Sequence, residues 1–157
     1  MTTLRIDGEV AKPCEISFET FAAFEAQDQI ADVTELGARR PGQAVKLAAL
    51  LAHVEKKDSG RYIGLHASHD DFHASIPLES KVLDAVVIYG NDSAPLESSS
   101  GGPFRFFIPE HEACQVDEID ECANVKFLNH IEITSEKGFD NRPKDEDEHA
   151  RLHQHGD

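Results

Sequence analysis

Short runs of alternating apolar and polar residues dominate the chain and predict a fold built mainly from β-strands. Residues 4–10 form one such run, which Gly8 interrupts, and Ile30–Thr34 form another. The remaining candidate strands lie further along the chain, at 61–66, 71–78, 85–89, 104–108 and 127–134. The run at 85–89 is rich in β-branched residues, which is typical of a buried strand.

Apolar residues at helical spacing interrupt this pattern in the first third of the chain. Ser17 can cap a short helix there. The inner side of that helix would carry Phe18, Phe21, Ala22 and Phe24. A longer helix is predicted over 44–57, and a brief helical turn near Glu79. Strands that outnumber early helices in an irregular order indicate an α+β fold with a mostly antiparallel or mixed sheet.

The strand at 104–108 carries the candidate binding chemistry. Alternation sends its two phenylalanines at even positions and its isoleucine to one face, and it leaves Arg105 on the other face. Gly101 and Gly102 stand just before this strand. A forked guanidinium beside a backbone without side chains suits a phosphate or a planar polar ring. The alternative role for Arg105 is a surface ion pair on an edge strand.

The net charge of the chain limits the classes of partner that are expected. It has 15 basic and 30 acidic residues, which give a formal net charge of -15 at pH 7. Nucleic acid and anionic membranes bind basic surfaces, so neither is expected as a partner. With 39% hydrophobic residues, the 157-residue chain can form the core of one soluble domain. No signal-peptide core and no run of about 20 apolar residues is present, which predicts a cytoplasmic location.

Two polar segments stand apart from the predicted strands. Residues 110–121 contain six acidic residues and no lysine or arginine. Residues 137–157 mix both charge signs and contain few apolar residues, so we expect a flexible C-terminal tail. Residues 1–136 would then form a single domain.

The spacing of cysteines and histidines along the chain bears on metal binding. Three cysteines, Cys14, Cys114 and Cys122, do not make a disulfide framework; Cys114 and Cys122 could pair across a loop, but a reducing compartment argues against it. None of them lies in a CxxC pair, so no zinc ribbon is expected. A group of histidines near two aspartates consists of His66, His69 and His73 and could bind zinc or nickel. The alternative is that these histidines are solvated side chains at the start of a strand. The tail contains His149, His153 and His155, which could chelate a divalent ion if the tail is helical. The alternative is that the tail is disordered.

Several stretches, taken in order, resemble one family. They are Val45–Leu51 after Gly42, His69–Leu78, Pro95-Leu96, Gly101–Pro109 and Val125–Phe127. Together they resemble the molybdopterin-binding domain of the sulfite oxidase superfamily, including its bacterial methionine-sulfoxide-reductase-like branch, over roughly residues 28–134. The most specific part is the Gly-x-Pro-x-Arg-x-x-x-Pro strand followed by Val-Lys-aromatic.

The resemblance implies a sulfite-oxidase-like α+β fold, in which a mixed β-sheet with a few short helices binds molybdopterin in a polar groove. Ser100, Gly101 and Arg105 then correspond to groups that touch the pterin and its phosphate. Lys126 corresponds to a lysine in the loop that anchors the cofactor. An active member would be a molybdopterin-dependent oxidoreductase.

Two departures from the family pattern argue against turnover. The family holds molybdenum through a cysteine, and the matching residues 32–40 contain none, with Thr34 nearest in position. A neutral hydroxyl replaces a soft thiolate poorly. The stretch between Pro109 and Lys126 is also longer and more acidic than the family's phosphate loop, and carboxylates repel phosphate. Molybdenum is therefore doubtful, and we assign neither a catalytic nor a metal-binding residue.

These observations leave different functions open. One is a molybdopterin-dependent oxidoreductase domain that is degenerate and lacks redox turnover; if it is active, Arg39 or Arg40 would lie near the substrate oxyanion. Another is a cofactor-free interaction module that presents the acidic loop 110–121 to a basic protein partner. A third is a metal-buffering protein that uses the histidines of the tail.

Overall fold

A computed structural model describes residues 3–38, 40–68, 71–78, 80–97, 99, 101–109, 125–138 and 140. Within these residues the strands are β1 (Thr3–Gly8), β2 (Cys14–Ser17), β3 (Gln29–Ile30), β4 (Gln43–Lys46), β5 (Tyr62–Ala67), β6 (Phe72–Pro77), β7 (Val86–Asn91), β8 (Ala94–Pro95), β9 (Arg105–Phe107) and β10 (His130–Thr134). The helices are α1 (Phe18–Ala22), α2 (Leu47–His53) and α3 (Ser80–Leu83). The predicted α+β class is confirmed.

The strands form two five-stranded sheets. The first sheet has the order β2-β1-β10-β5-β6, and its β1–β10 pair is parallel while its other pairs are antiparallel. A Cβ at Gly8 would run into the backbone of Ile133, so the end of β1 can approach β10 this closely only without a side chain. The second sheet is antiparallel, with the order β3-β4-β7-β8 and with β9 also paired to β7.

The main core joins one face of each sheet and the buried side of α2. From the first sheet it contains fully or almost fully buried residues such as Ile6, Ile63 and Ile131, and from the second Val87 and Phe106. A smaller cluster covers the opposite face of the second sheet, with Val33, Ala44, Val86 and Ile88. The second sheet is thus apolar on both faces, and polar groups on its outer face stand out.

The predicted helix over 44–57 is wrong at its start. Gln43–Lys46 is strand β4, and α2 begins only at Leu47. Ala44 and Val45 are both 0% exposed, and they belong to the outer cluster and to the main core respectively. Neighbouring side chains in a strand point to opposite faces, so burial of both residues between two layers favours a strand.

The predicted strand at 30–34 is also shorter than expected. β3 ends at Ile30, and Val33–Leu36 form a 3-10 turn. The Asp32 carboxylate accepts hydrogen bonds from the backbone N–H of Thr34 at 3.0 Å and from its hydroxyl at 2.7 Å, and these bonds start the turn. The same two bonds lower the pKa of Asp32 from its usual value. No helix in the described ranges is long and apolar enough to cross a membrane.

Candidate functional site

Strand β9 directs Arg105 away from the main core. Arg105 lies opposite Ile88 of β7 and shares its face, while Phe106 lies opposite Val87 and is 1% exposed. The alternation predicted from the sequence is therefore confirmed. Arg105 is half-buried on the outer face of the second sheet, the face that also carries the small cluster with Val33.

Gly101 lies where the side chains of Arg105 and Lys126 meet. It has a φ of +86°, and a Cβ at this position would lie 3.0 Å from Arg105 Cδ, 3.3 Å from Arg105 Nε and 3.4 Å from Lys126 Cγ. The stems of both cationic side chains therefore pack closely against the backbone of Gly101, which has no room for a side chain of its own.

Backbone hydrogen bonds hold Lys126 in this position. The residues on either side of it bond to the segment that contains Arg105: Phe127 N donates to Gly101 O and Phe106 N donates to Val125 O, both at 2.8 Å. The chain therefore brings residues that are far apart in sequence to one site through main-chain contacts, and not through the side chains that would bind a ligand.

Arg40 adds a third positive charge. Burial, and to a lesser extent the positive charge of Arg40, lower the pKa of the Arg105 guanidinium from its usual value. An arginine starts from a pKa so high that it stays protonated at neutral pH. We call Arg40, Arg105 and Lys126, with Gly101 between the last two, the cation cluster. In a chain of net charge -15 such a group of cations suits an anionic ligand.

Gly102 has a different reason for lacking a side chain. A Cβ there would lie against the Leu96 carbonyl and 2.6 Å from Leu96 Cβ, and the Gly102 N–H donates to Glu97 O at 2.9 Å. The Gly102–Pro103 peptide is cis. Gly102 therefore lets the backbone before the cation cluster pack against Leu96, whereas Gly101 lets the side chains of Arg105 and Lys126 pack against the backbone.

The comparisons with known proteins agree with this fold. Residues 2–141 match the family described as oxidoreductase molybdopterin binding domain. The chain belongs to this family. The predicted resemblance is thereby confirmed at the level of the family, since the match spans nearly the whole chain.

A solved structure shares the fold of this molybdopterin-binding domain. The crystal structure of the sulfane dehydrogenase SoxCD from Paracoccus pantotrophus is similar with a TM-score of 0.62 and 20% sequence identity. The similarity covers 87% of this chain and 39% of that chain, so the domain spans about two fifths of its neighbour's length. At this identity the likeness establishes the sulfite-oxidase-like fold that was predicted. No curated protein matches the chain.

The structure brings together most of the described residues that the sequence singled out. Gly101, Arg105 and Lys126 lie at one site, and the charge of Arg40 reaches Arg105. Their part in cofactor binding stays a prediction. Four other predictions lie outside the described residues; they concern Ser100, Arg39, the acidic loop 110–121 and the histidines of the tail.

The histidine group in the structure differs from the one predicted. His66 and His73 are opposite each other in β5 and β6, with their Nδ1 atoms 2.8 Å apart, whereas His69 lies outside the described residues. Sequence reasoning missed His130, which the register of β10 places opposite His66. Its alternation with buried Ile131 was the available signal. No three His, Cys, Asp or Glu side chains in the described ranges are arranged to hold a metal ion.

A cavity of about 600 Å³ lies apart from the cation cluster. It is lined by Phe18, Ala22, Phe24, Ala26, Gln29, Ile30, Ala31, Gln43, Tyr89 and Ser93. Gln29, one of the lining residues, donates to the carbonyl of Phe21 at 2.7 Å and accepts from the Tyr89 hydroxyl at 2.8 Å, and it thereby links α1 to β7. None of the four residues of the cation cluster lines this cavity.

A pair of glycine variants tests the space at Gly101. Both Gly101 and Gly37 have left-handed backbone angles, with φ of +86° and +98°, but a Cβ at Gly37 would have no atom within 4 Å. We expect Gly101→Ala and Gly37→Ala to lose a similar stability of about 1–2 kcal/mol from backbone strain. Only Gly101→Ala should also weaken anion binding, because its methyl group displaces Arg105 and Lys126. Isothermal titration with a phosphorylated pterin checks this, and equal affinities in the two variants would contradict it.

Proposed function

We propose that this protein is a molybdopterin oxidoreductase-like domain that binds the pterin cofactor at the cation cluster but has lost redox turnover at molybdenum. The observation that carries the proposal is that the side chains of Arg105 and Lys126 pack side by side against Gly101, which brings two cationic residues to one site. Family membership supports the ligand, since the matched family is described by molybdopterin binding.

The donor set fits a phosphorylated pterin. The guanidinium of Arg105 has two edges of N–H groups that can bond to phosphate oxygens or to a planar heterocycle, and Lys126 adds a mobile point charge. Half-burial of Arg105 reduces the screening of its charge by solvent and so strengthens its attraction to an anion. Ser100 beside Gly101 is proposed as a further contact. Arg40 would neutralise additional negative charge on the ligand or on a bound oxyanion.

The proposed loss of turnover rests on residues 32–40. A molybdenum-loaded pterin supplies oxygen-atom and electron transfer in this class of cofactor, and the metal needs a soft ligand from the protein. Residues 32–40 contain no cysteine, and the hydroxyl of Thr34, the nearest substitute, donates to Asp32 at 2.7 Å. Cys14 lies elsewhere, on β2 of the first sheet, where burial raises the pKa of its thiol. A thiol of raised pKa is a poor source of thiolate at neutral pH.

Cofactor analysis of protein purified from a host that makes molybdopterin tests the proposal. We expect fluorescent pterin to be released on denaturation, at close to one molecule per chain, with molybdenum well below one atom per chain. Molybdenum near one atom per chain would show that the metal site is intact and would overturn the proposed loss of turnover. Absence of pterin would overturn cofactor binding and favour the interaction module based on residues 110–121.

The location and the domain boundaries remain proposals of the same kind. We propose a cytoplasmic domain over residues 1–136 with a polar tail at 137–157. The start of that tail contacts the first sheet, since Gly138 N donates to the Ser75 hydroxyl and Ser75 N donates to the Asp140 carboxylate, both at 2.9 Å.

A further inference from the structure

A row of polar side chains crosses the outer face of the first sheet, whereas Arg105 of the cation cluster lies on the second sheet. The register places Arg5 of β1, His130 of β10, His66 of β5 and His73 of β6 side by side. The ring of His66 lies 5.0 Å from that of His130 and 5.1 Å from that of His73. Imidazoles this close cannot all carry a positive charge without strong repulsion.

Four of the side chains on this face form a continuous hydrogen-bonded chain. His73 Nε2 lies 2.9 Å from Asp71 Oδ1, and His66 Nε2 lies 3.2 Å from Glu132 Oε1. Between these two contacts, the Nδ1 atoms of His66 and His73 face each other at 2.8 Å. We call Asp71, His73, His66 and Glu132 the histidine chain.

A count of protons shows that the histidine chain needs one more than neutral imidazoles provide. Each of the three contacts requires one hydrogen, because carboxylate oxygens and bare ring nitrogens only accept. Two neutral imidazoles supply one N–H each, which leaves one contact without a hydrogen. With one additional proton every contact is satisfied. With a second additional proton both Nδ1 atoms become donors and the 2.8 Å contact turns repulsive.

The surroundings of the chain decide which ring carries the extra proton. Burial lowers the pKa of His66, the hydrogen bond to Glu132 opposes that change, and charge on His130 or His73 would lower the pKa further. His130 itself has its Nε2 2.7 Å from Asp7 Oδ1, and Asp7 also pairs with Arg5 at 2.9 Å. Further charged groups near this face are Glu15 of β2, which lies opposite Arg5, and Asp140, whose carboxylate accepts from Ser75 N of β6. The lowered pKa makes His66 harder to protonate than a free imidazole, and His73 lies 2.9 Å from the exposed carboxylate of Asp71.

We propose that His66 and His73 act as one proton-binding unit that links β5, β6 and β10 and is complete only when the two rings hold a single extra proton. His73 then donates from both nitrogens, to Asp71 and to His66, while His66 donates to Glu132. This inference is independent of pterin binding, since it concerns the other sheet.

The stability that this unit contributes to folding falls both at low pH and at high pH, for different reasons. His66 is harder to protonate in the folded chain than the unfolded value of about 6.5, so folding is destabilised as pH falls and His66 is forced to take a proton. As pH rises, the shared proton leaves and the central contact is lost. The contribution of the unit to folding therefore passes through a maximum at intermediate pH.

Nitrogen-detected NMR of the imidazole rings tests the proposal on the wild-type protein. Between pH 4 and pH 9 we expect two titration steps that involve both rings and are separated by more than about one pH unit, as for strongly coupled sites. In the plateau between them, His66 should be neutral with its proton on Nε2 while His73 is charged. A single common midpoint near the free-histidine value of about 6.5 for both rings would overturn the proposal.

Unfolding measurements on variants provide a second test. His73→Gln is expected to raise the unfolding equilibrium constant about tenfold at the pH of the plateau, as for loss of one charge-assisted hydrogen bond, and to have a smaller effect at pH 4 and pH 9. His53→Gln is the matched control, because His53 lies on α2 with its ring against Phe24 and does not belong to the histidine chain. An effect of His73→Gln that does not depend on pH would contradict the proposal. Sub-micromolar binding of zinc chloride that removes both titration steps would also contradict it, because a metal ion and not a proton would then lie between the two rings.

Discussion

Arg105→Ala is expected to abolish retention of the pterin cofactor during purification. A charge-assisted hydrogen bond contributes about 1.5–3 kcal/mol, and a bidentate contact from a half-buried guanidinium lies at the upper end of that range. The loss corresponds to about a hundredfold weaker binding, which is enough for the cofactor to dissociate on a column. The measurement is the amount of fluorescent pterin released per chain from wild-type and variant protein.

The chain offers a matched arginine as the control for this experiment. Arg5 lies on the first sheet and pairs with Asp7 at 2.9 Å, with 64% of its side chain exposed. Arg5→Ala removes the same charge and should leave the pterin content unchanged. Arg105→Lys keeps the charge but loses the planar fork, so we expect partial retention. If Arg105→Ala retained as much pterin as Arg5→Ala, the ligand site would have to lie elsewhere.

Phe21→Ala is expected to produce the largest loss of stability among the aromatic variants. Phe21 is 0% exposed, and its ring packs on Tyr89 at 5.2 Å and on Phe104 at 5.3 Å between ring centroids. Removal of such a buried ring costs about 3–5 kcal/mol, because the cavity closes only partly. Urea unfolding followed by circular dichroism measures the change in the free energy of unfolding.

Phe24→Ala serves as the comparison. Phe24 is only partly buried and lies 6.4 Å from the ring of Phe21, so its removal should cost clearly less. Similar losses in the two variants would contradict the central position of Phe21. Since Phe104 directly precedes Arg105, Phe21→Ala should also lower pterin content in protein that is still folded.

The sequence predicted correctly those elements of the fold that bury only one of their faces. Alternation along residues 104–108 placed Arg105 correctly, and Ser17 caps α1 as expected, accepting from Thr20 N at 3.3 Å. It could not separate strand from helix at Ala44 and Val45, because residues that are buried on two sides have no polar face to reveal the period. The 3-10 turn after Asp32 depends on two hydrogen bonds to a single side chain, which no periodicity records.

The candidate site was predictable only as far as the family resemblance reached. Residue types and order pointed to Arg105 and Lys126, but the reason that they meet is the backbone pairing of Phe127 with Gly101. The same limit applies to His130, whose approach to His66 follows from the register between β5 and β10. Contacts between distant segments depend on strand pairing, and a single sequence does not contain that pairing in its local pattern.

The parallel pairing of β1 with β10 has a consequence for synthesis on the ribosome. β10 lies between β1 and β5, so the first sheet stays in two halves until residue 134 has emerged from the exit tunnel. Until then, nascent chains expose two unpaired strand edges that invite association with one another. A transcript truncated before this point should therefore yield aggregates or degraded polypeptide, and the intact chain should fold only after translation of β10.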